Sequence, residues 1–287
     1  MAAKAGCTAW RHTSMSDRRV TVRKTYKLFI GGAFPRSESG RSYPVTRTEH
    51  AARASRKDAR DAVVAARKAF PGWSGATAYN RGQILYRVAE MLEGRRAQFA
   101  DELGGPRKQA LEQVDTAVDR LVWYAGWSDK IAAVRGTANP VAGPYFNLSS
   151  PEPAGVVAVI APAEPLLGLV TAVAPVIVTG NTCVVVASER APLPAITFAE
   201  VLATSDLPGG VVNILTGHQA ELAPWLAAHM DVNGLDLTGV ADPELKQACE
   251  QAAAENFKRV LTAAEDRGTR RMTTFMETKT VWHPAGI

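Results

Sequence analysis

The chain has 287 residues, 46% of them apolar, three cysteines and a formal net charge of +5. That length can bury a large core in one domain or two, no apolar run approaches a membrane span, and the odd cysteine count without framework spacing argues against a disulfide scaffold. The charge excess sits in residues 1–24, where Lys4, Arg11, Arg18, Arg19, Arg23 and Lys24 face Asp17 alone. The body is therefore balanced, and with no aromatic-interleaved basic patch, nucleic-acid binding is not expected.

Residues 1–25 read as a basic, disordered tail with no secretory-type apolar stretch, so a cytoplasmic location is expected. The run Tyr-Lys-Leu-Phe-Ile-Gly-Gly-Ala-Phe at 26–34 predicts an edge hairpin turning at Gly31-Gly32, because paired glycines supply positive φ. A helix follows over 55–70, carrying Ala62, Val63, Ala66 and Phe70 at helical spacing. Ser55 is its N-cap, Asp58 lies three residues on, and Pro71-Gly72 should end it. A second helix is expected over 77–93 and a short third around Phe99 and Leu103, before Gly104-Gly105-Pro106 breaks the chain. A long fourth, 108–131, repeats Leu111, Val114, Val118, Leu121, Val122 and Ala125. With no strands between them, these helices should form a cover over a sheet, and Trp73, Trp123 and Trp127 should pack within that layer. The Pro-, Gly- and Asn-rich passage 136–153 predicts an extended arm.

The next hundred residues alternate strand and helix. Strands are expected at 155–161, 182–186, 211–215, 232–237 and 258–262, with crossover helices at 166–178, 192–204, 219–230 and 243–255. Short β-branched runs with little polar alternation suit strands covered on both faces, and the regular βα spacing makes the sheet parallel. The fold class is α/β, a doubly wound, Rossmann-like sheet with an N-terminal helical cover. Cys183 lies in a strand run and Cys249 at helical spacing from Leu245 and Ala253, so both read as small core residues. The histidines (His12, His50, His218, His229, His283) are scattered, and no metal site is assigned.

An ordered set of motifs carries a family resemblance: Glu152-Pro-Ala-Gly-Val-Val157, Gly180-Asn-Thr182, Ser188-Glu189 with Pro192-Leu193, Leu207-Pro-Gly-Gly-Val-Val-Asn213, Thr216-Gly217, Leu237-Thr-Gly239 and Asn256-Phe-Lys-Arg-Val260. Together they resemble the cofactor-binding half of the aldehyde dehydrogenase superfamily, over about 26–260. The resemblance implies an NAD- or NADP-binding domain at 26–263 whose candidate cofactor residues are Pro162, Glu189, Gly217, Thr238 and Gly239. Glu189 is either an acceptor for a ribose hydroxyl or a solvated turn carboxylate.

Several positions depart from the family pattern. Where the family has a Thr-Pro-Trp-Asn turn whose Asn donates to the oxyanion, this chain has Ala161-Pro-Ala-Glu164, and an ionised glutamate has acceptors only. The Lys of the family's Lys-Pro-Ser-Glu turn is Val186. At the pyrophosphate turn the family's Ser is Val240 and a later glycine is Glu244, and with Asp236 and Asp242 nearby the field for phosphate is weakened. Cofactor binding is expected to be weak or lost.

After Val260 the match fails: Ala263-Ala-Glu-Asp-Arg267 replaces a Glu-Leu-Gly-Gly-Lys segment, and no domain with a nucleophilic cysteine follows. No catalytic residue is assigned. The stretch Phe275-Met-Glu-Thr-Lys-Thr-Val-Trp-His-Pro284 is similar to the family's C-terminal strand, which joins the arm in an oligomerisation sheet. Segment 264–287 is thus read as a linker and oligomerisation strand. In detail, residues 162–168, 184–190, 204–210 and 279–282 most resemble the non-catalytic second module of two-module, family-sixteen aldehyde dehydrogenases, here as a separate chain. The resemblance implies a pseudoenzyme whose partner is a catalytic aldehyde dehydrogenase subunit or a second copy of itself. The alternative is an NAD(P)-dependent oxidoreductase whose site another chain completes.

Overall fold

The computed structural model describes residues 24–265 and 267–286; most of the basic tail lies outside them. Lys24, at its end, is not free: its ammonium donates to Thr197 at 2.9 Å and pairs with Glu200 at 2.8 Å. The Gly31-Gly32 turn forms as expected, with φ of +62° and +83°, and Ile30 bridges Ala33. The hairpin seats on a sheet edge because Phe29 exchanges backbone hydrogen bonds with Ile214.

A second hairpin, β1 (Ser42–Pro44) with β2 (His50–Ala52), precedes α1 (Arg56–Gly75). Ser55 caps α1, and Asp58 completes the capping box, accepting from the Ser55 N–H at 2.7 Å. Pro71-Gly72 does not end this helix, which continues one more turn to Gly75. Packing outweighs the proline: Trp73 in that turn is 2% exposed and donates its indole N–H to the Ile177 carbonyl at 2.9 Å.

The cover continues with α2 (Ala78–Gly94), capped by Thr77, then α3 (Arg96–Leu103) and α4 (Arg107–Ala125). The fourth helix is shorter than its pattern suggested. A turn at 126–130 intervenes before α5 (Ile131–Arg135), and Val122 is 40% exposed rather than inward, while Tyr124 takes the buried position. The buried residues of α4 include Val114, Ala117, Leu121, Tyr124 and Ala125, a single 3.6-period stripe that Val122 falls beside. Next come β3 (Thr137–Asn139) and β4 (Tyr145–Pro153), so the predicted arm is a hairpin with its own turn.

The parallel sheet follows as read: β5 (Val156–Ile160), α6 (Leu167–Val178), β6 (Thr182–Val186), α7 (Leu193–Ala203), β7 (Val212–Leu215), α8 (Gln219–Ala228), β8 (Gly234–Asp236), α9 (Pro243–Ala254) and β9 (Arg259–Leu261). The strand order is β7-β6-β5-β8-β9, all parallel, with the direction of winding reversing between β5 and β8. Val157, Val159, Cys183, Val185 and Ile214 face one apolar core with α6, α7 and the helical cover. Val156, Ala158, Ile160, Val184 and Leu235 face the other with α1, α8 and Cys249 and Ala253 of α9.

From β9 the chain runs through 262–275, which includes α10 (Arg270–Thr273), into β10 (Met276–Pro284). That strand lies antiparallel along all nine residues of β4, giving a three-stranded sheet ordered β10-β4-β3. Asn181, of the Gly-Asn-Thr motif, ties this segment to the body: its amide donates to the Phe275 carbonyl at 2.8 Å, and its oxygen accepts from Gly155 N at 2.9 Å. No helix among the described residues is long and apolar enough to cross a membrane.

Candidate functional site

In an open α/β sheet, ligands enter outside the carboxyl ends of the strands, at the point where the winding reverses. Here that point lies between the β5 exit at Ala161 and the β8 exit at Leu237. All five candidate residues fall on connections leaving these ends: Pro162 after β5, Glu189 after β6, Gly217 after β7, and Thr238 and Gly239 after β8. The sheet therefore brings together residues spread over 78 positions of sequence.

Each is engaged within the chain. Pro162 packs against α6, where a side chain on Gly168 would meet its Cβ at 2.9 Å. Glu189, partly exposed, has partners within the chain. One oxygen pairs with His218 Nδ1, and the other accepts the N–H of Gln219 at 3.2 Å, so the carboxylate caps α8. Gly217 carries a φ of +151° and lies against Ala54, where an added Cβ would sit 3.2 Å from the backbone nitrogen. Thr238 gives both its N–H (2.9 Å) and its hydroxyl (2.7 Å) to Asp236. Gly239 rests on the end of β5: a Cβ there would be 2.3 Å from the carbonyl oxygens of both Ile160 and Ala161.

The remaining polar groups complete this closed arrangement. The Gln219 side chain donates to the Ala161 carbonyl at 3.5 Å, linking the β7 exit to the β5 exit. The ring of Tyr43, from β1, lies tilted 5.5 Å from that of His218, and burial followed by the Glu189 charge pushes its phenol well above the usual range. Val186 and Val240 are buried apolar residues. At the start of α9 the free N–H of Glu244 is taken by its own N-cap, Asp242, at 3.0 Å. Asp236 is 1% exposed, and burial raises its carboxyl above the ordinary range against the opposing pull of Thr238 and Arg271. His218, Gln219 and Arg271 belong to the site and carry no motif that would have singled them out. Glu164 and Ala163 are exposed on the β5 exit.

Cys183 and Cys249 stand apart from these loops. Burial drives Cys183 far above the ordinary thiol range, and burial with Glu250 lifts Cys249 to about 11, so neither is a thiolate near neutral pH. Among the described residues no three His, Cys, Asp or Glu side chains are grouped to hold a metal. Grooves of about 930 Å³, beside Tyr79, Tyr86 and Val122, and about 500 Å³, beside Phe70 and Pro153, open at the opposite, amino end of the sheet.

The model of the aldehyde dehydrogenase family matches residues 40–265. Aldehyde dehydrogenase, cytosolic 1 of Elephantulus edwardii is 34% identical over 249 residues, 82% of this chain and 49% of that protein. Retinal dehydrogenase 2 of Mus musculus is 34% identical over 252 residues, 83% of this chain and 48% of that protein. Among solved structures, PnpE from Pseudomonas sp. WBC-3 superposes with a TM-score of 0.77 at 28% identity, over 83% of this chain and 50% of that one. An aldehyde dehydrogenase from Bacillus cereus in complex with NAD+ gives 0.76 at 28%, with the same coverage. The chain thus spans about half the length of the relatives it matches.

Proposed function

The chain belongs to the aldehyde dehydrogenase family, and from that premise we propose that it is a catalytically inactive subunit that assembles with and supports an active NAD(P)-dependent aldehyde dehydrogenase. The observation that carries this reading is the short path from β9 to β10. Residues 262–275 lead directly from the last parallel strand into the strand that pairs along all of β4. By the family resemblance, that interval is where the general base and the cysteine-bearing domain would stand. Ala263 occupies the base position, and the oxyanion turn ends in Glu164. In this respect the chain is a counterpart of the non-catalytic second module of family-sixteen enzymes.

The crevice also does not suit a tightly held dinucleotide. Thr238 and Glu189 spend their polar atoms inside the chain, Gly239 is pressed onto β5, and Val186 offers no cation. Binding of NAD or NADP is weak or lost on this reading. Assembly has a candidate surface in the β10-β4-β3 sheet, where β10 is an edge strand among the described residues and Phe146 and Leu148 are exposed. Long strand edges bearing apolar side chains favour pairing with another chain.

The test is a native mass determination of the chain alone and after co-expression with an active aldehyde dehydrogenase from the same genome. A hetero-complex of fixed stoichiometry is expected; a chain that stays alone or pairs only with itself overturns the reading. A second reading, an NAD(P)-dependent oxidoreductase completed by another chain, draws on the 34% identity to dehydrogenases. It requires aldehyde-dependent NADH formation by a mixture in which this chain is indispensable.

A further inference from the structure

The connection leaving β8 is engaged by the chain's own C-terminal segment. Asp236 Oδ1 takes the two Thr238 donors, and Oδ2 takes Arg271 Nη1 at 3.4 Å; the same guanidinium nitrogen lies 3.4 Å from the Thr238 hydroxyl. Arg271 is 5% exposed and is held from behind by Nε donating to the Glu265 carbonyl at 3.2 Å. Just after it, Met272, buried against the α6 core, and Phe275, whose ring fills the space over Gly234, anchor the segment. The helices α6 and α7 belong to the face over β5, β6 and β7. Over β8, α10 takes that place, bringing Arg271 to the carboxyl end of β8 beside the winding reversal.

A carboxylate at that point repels a pyrophosphate, and left without a partner its burial would be costly. Arg271 supplies the partner from within the chain. We propose that α10 is a built-in plug: the Arg271 guanidinium fills the β8 side of the crevice that a dinucleotide would enter, and Asp236 is the residue that draws it in. The Asp236–Arg271–Thr238 cluster then replaces a ligand's contacts with contacts of its own, and in the same stroke fixes the segment that leads into β10. This deepens the proposed non-catalytic reading, resting on its weakened cofactor site while making no use of the partner.

The test is titration of NAD+ by isothermal calorimetry into the wild-type chain and into the double variant Asp236→Ala/Arg271→Met, which removes both charges together and strands neither. Hydrogen exchange in the strands themselves, at 156–160, 182–186 and 212–215, reports whether the sheet remains folded. Asp236→Asn/Arg271→Gln, which removes both charges but keeps polar amides at both positions, is read in the same way if the first variant loses its sheet protection. At least tenfold tighter NAD+ binding by the variant is expected, with faster exchange confined to 237–240 and 267–275. Equal affinity in the two proteins, whether both bind or neither does, overturns the plug. Co-expression mass measurements on the same variant separate this outcome from failure of the partner reading, since the plug predicts a change in NAD+ affinity with or without a hetero-complex.

Discussion

Gly239 shows how little slack the β5–β8 junction has. A methyl group there would enter the carbonyl oxygens of Ile160 and Ala161, and backbone cannot yield as a side-chain tip can. Gly239→Ala is expected to cost about 1–3 kcal/mol, read as a lower urea midpoint with an unchanged slope. The buried Asp236–Arg271 pair should give an asymmetric mutant cycle. Arg271→Ala alone leaves an uncompensated buried carboxylate and should cost about 3–5 kcal/mol, whereas the double replacement by apolar residues should be close to neutral. Additive losses in the two single variants would contradict coupling. Lys258 sets a pH dependence: burial lowers its pKa to about 8 from 10.5, so between those values the unfolded chain binds the extra proton and stability rises with pH. Lys258→Met should remove that rise from the thermal midpoint measured across the same window.

The elements that depart from their sequence pattern do so where tertiary contacts override a local rule. The proline in α1 loses one backbone hydrogen bond, but the turn beyond it buries a whole indole with its N–H satisfied by Ile177. Trp73→Ala should therefore cost about 3–5 kcal/mol and fray the helix back to Pro71, visible as faster amide exchange over 72–75. In the arm, β10 owes its place to nine consecutive pairings with β4 and to the Lys279–Glu152 bridge at 3.0 Å. Exposed bridges of that kind contribute little, so the backbone ladder and the Phe275 anchor carry the attachment. On the face shared with Leu148, Val281→Lys should leave the fold intact and reduce assembly, read as loss of hetero-complex at unchanged thermal midpoint.

At the scale of the whole molecule, the parallel sheet and the three-stranded sheet are joined twice, by the passage from β4 into β5 and by the return from β9 to β10. The parallel sheet is enclosed by helices on both faces, and α10 brings Arg271 to Asp236 at the end of β8. Among the described residues, the three-stranded sheet is open on the β10 edge, and it carries exposed Phe146, Leu148 and Trp282. On the proposed non-catalytic reading, addition of NAD+ at millimolar concentration should leave the wild-type thermal midpoint unmoved, while co-expression with a cognate aldehyde dehydrogenase should raise it. The size of a ligand-induced shift follows the affinity for the folded state, so a large NAD+ shift would favour the oxidoreductase reading.

The sequence by itself determined the parallel sheet, its helices and its family, because β-branched runs, capping residues and turn glycines act locally and repeat at a fixed period. The five candidate residues came from the family resemblance, and all five fall on connections leaving the carboxyl ends of the strands. Only the tertiary structure shows what those residues contact within the chain. Glu189 caps α8, Thr238 is bound to Asp236, and Arg271 arrives from 35 residues beyond Asp236. No spacing encodes that last contact, because it depends on α10 folding back over β8, a long-range packing event. The same reason holds for α1 passing through Pro71 and for β10 returning to β4: each is set by what lies across the core from it.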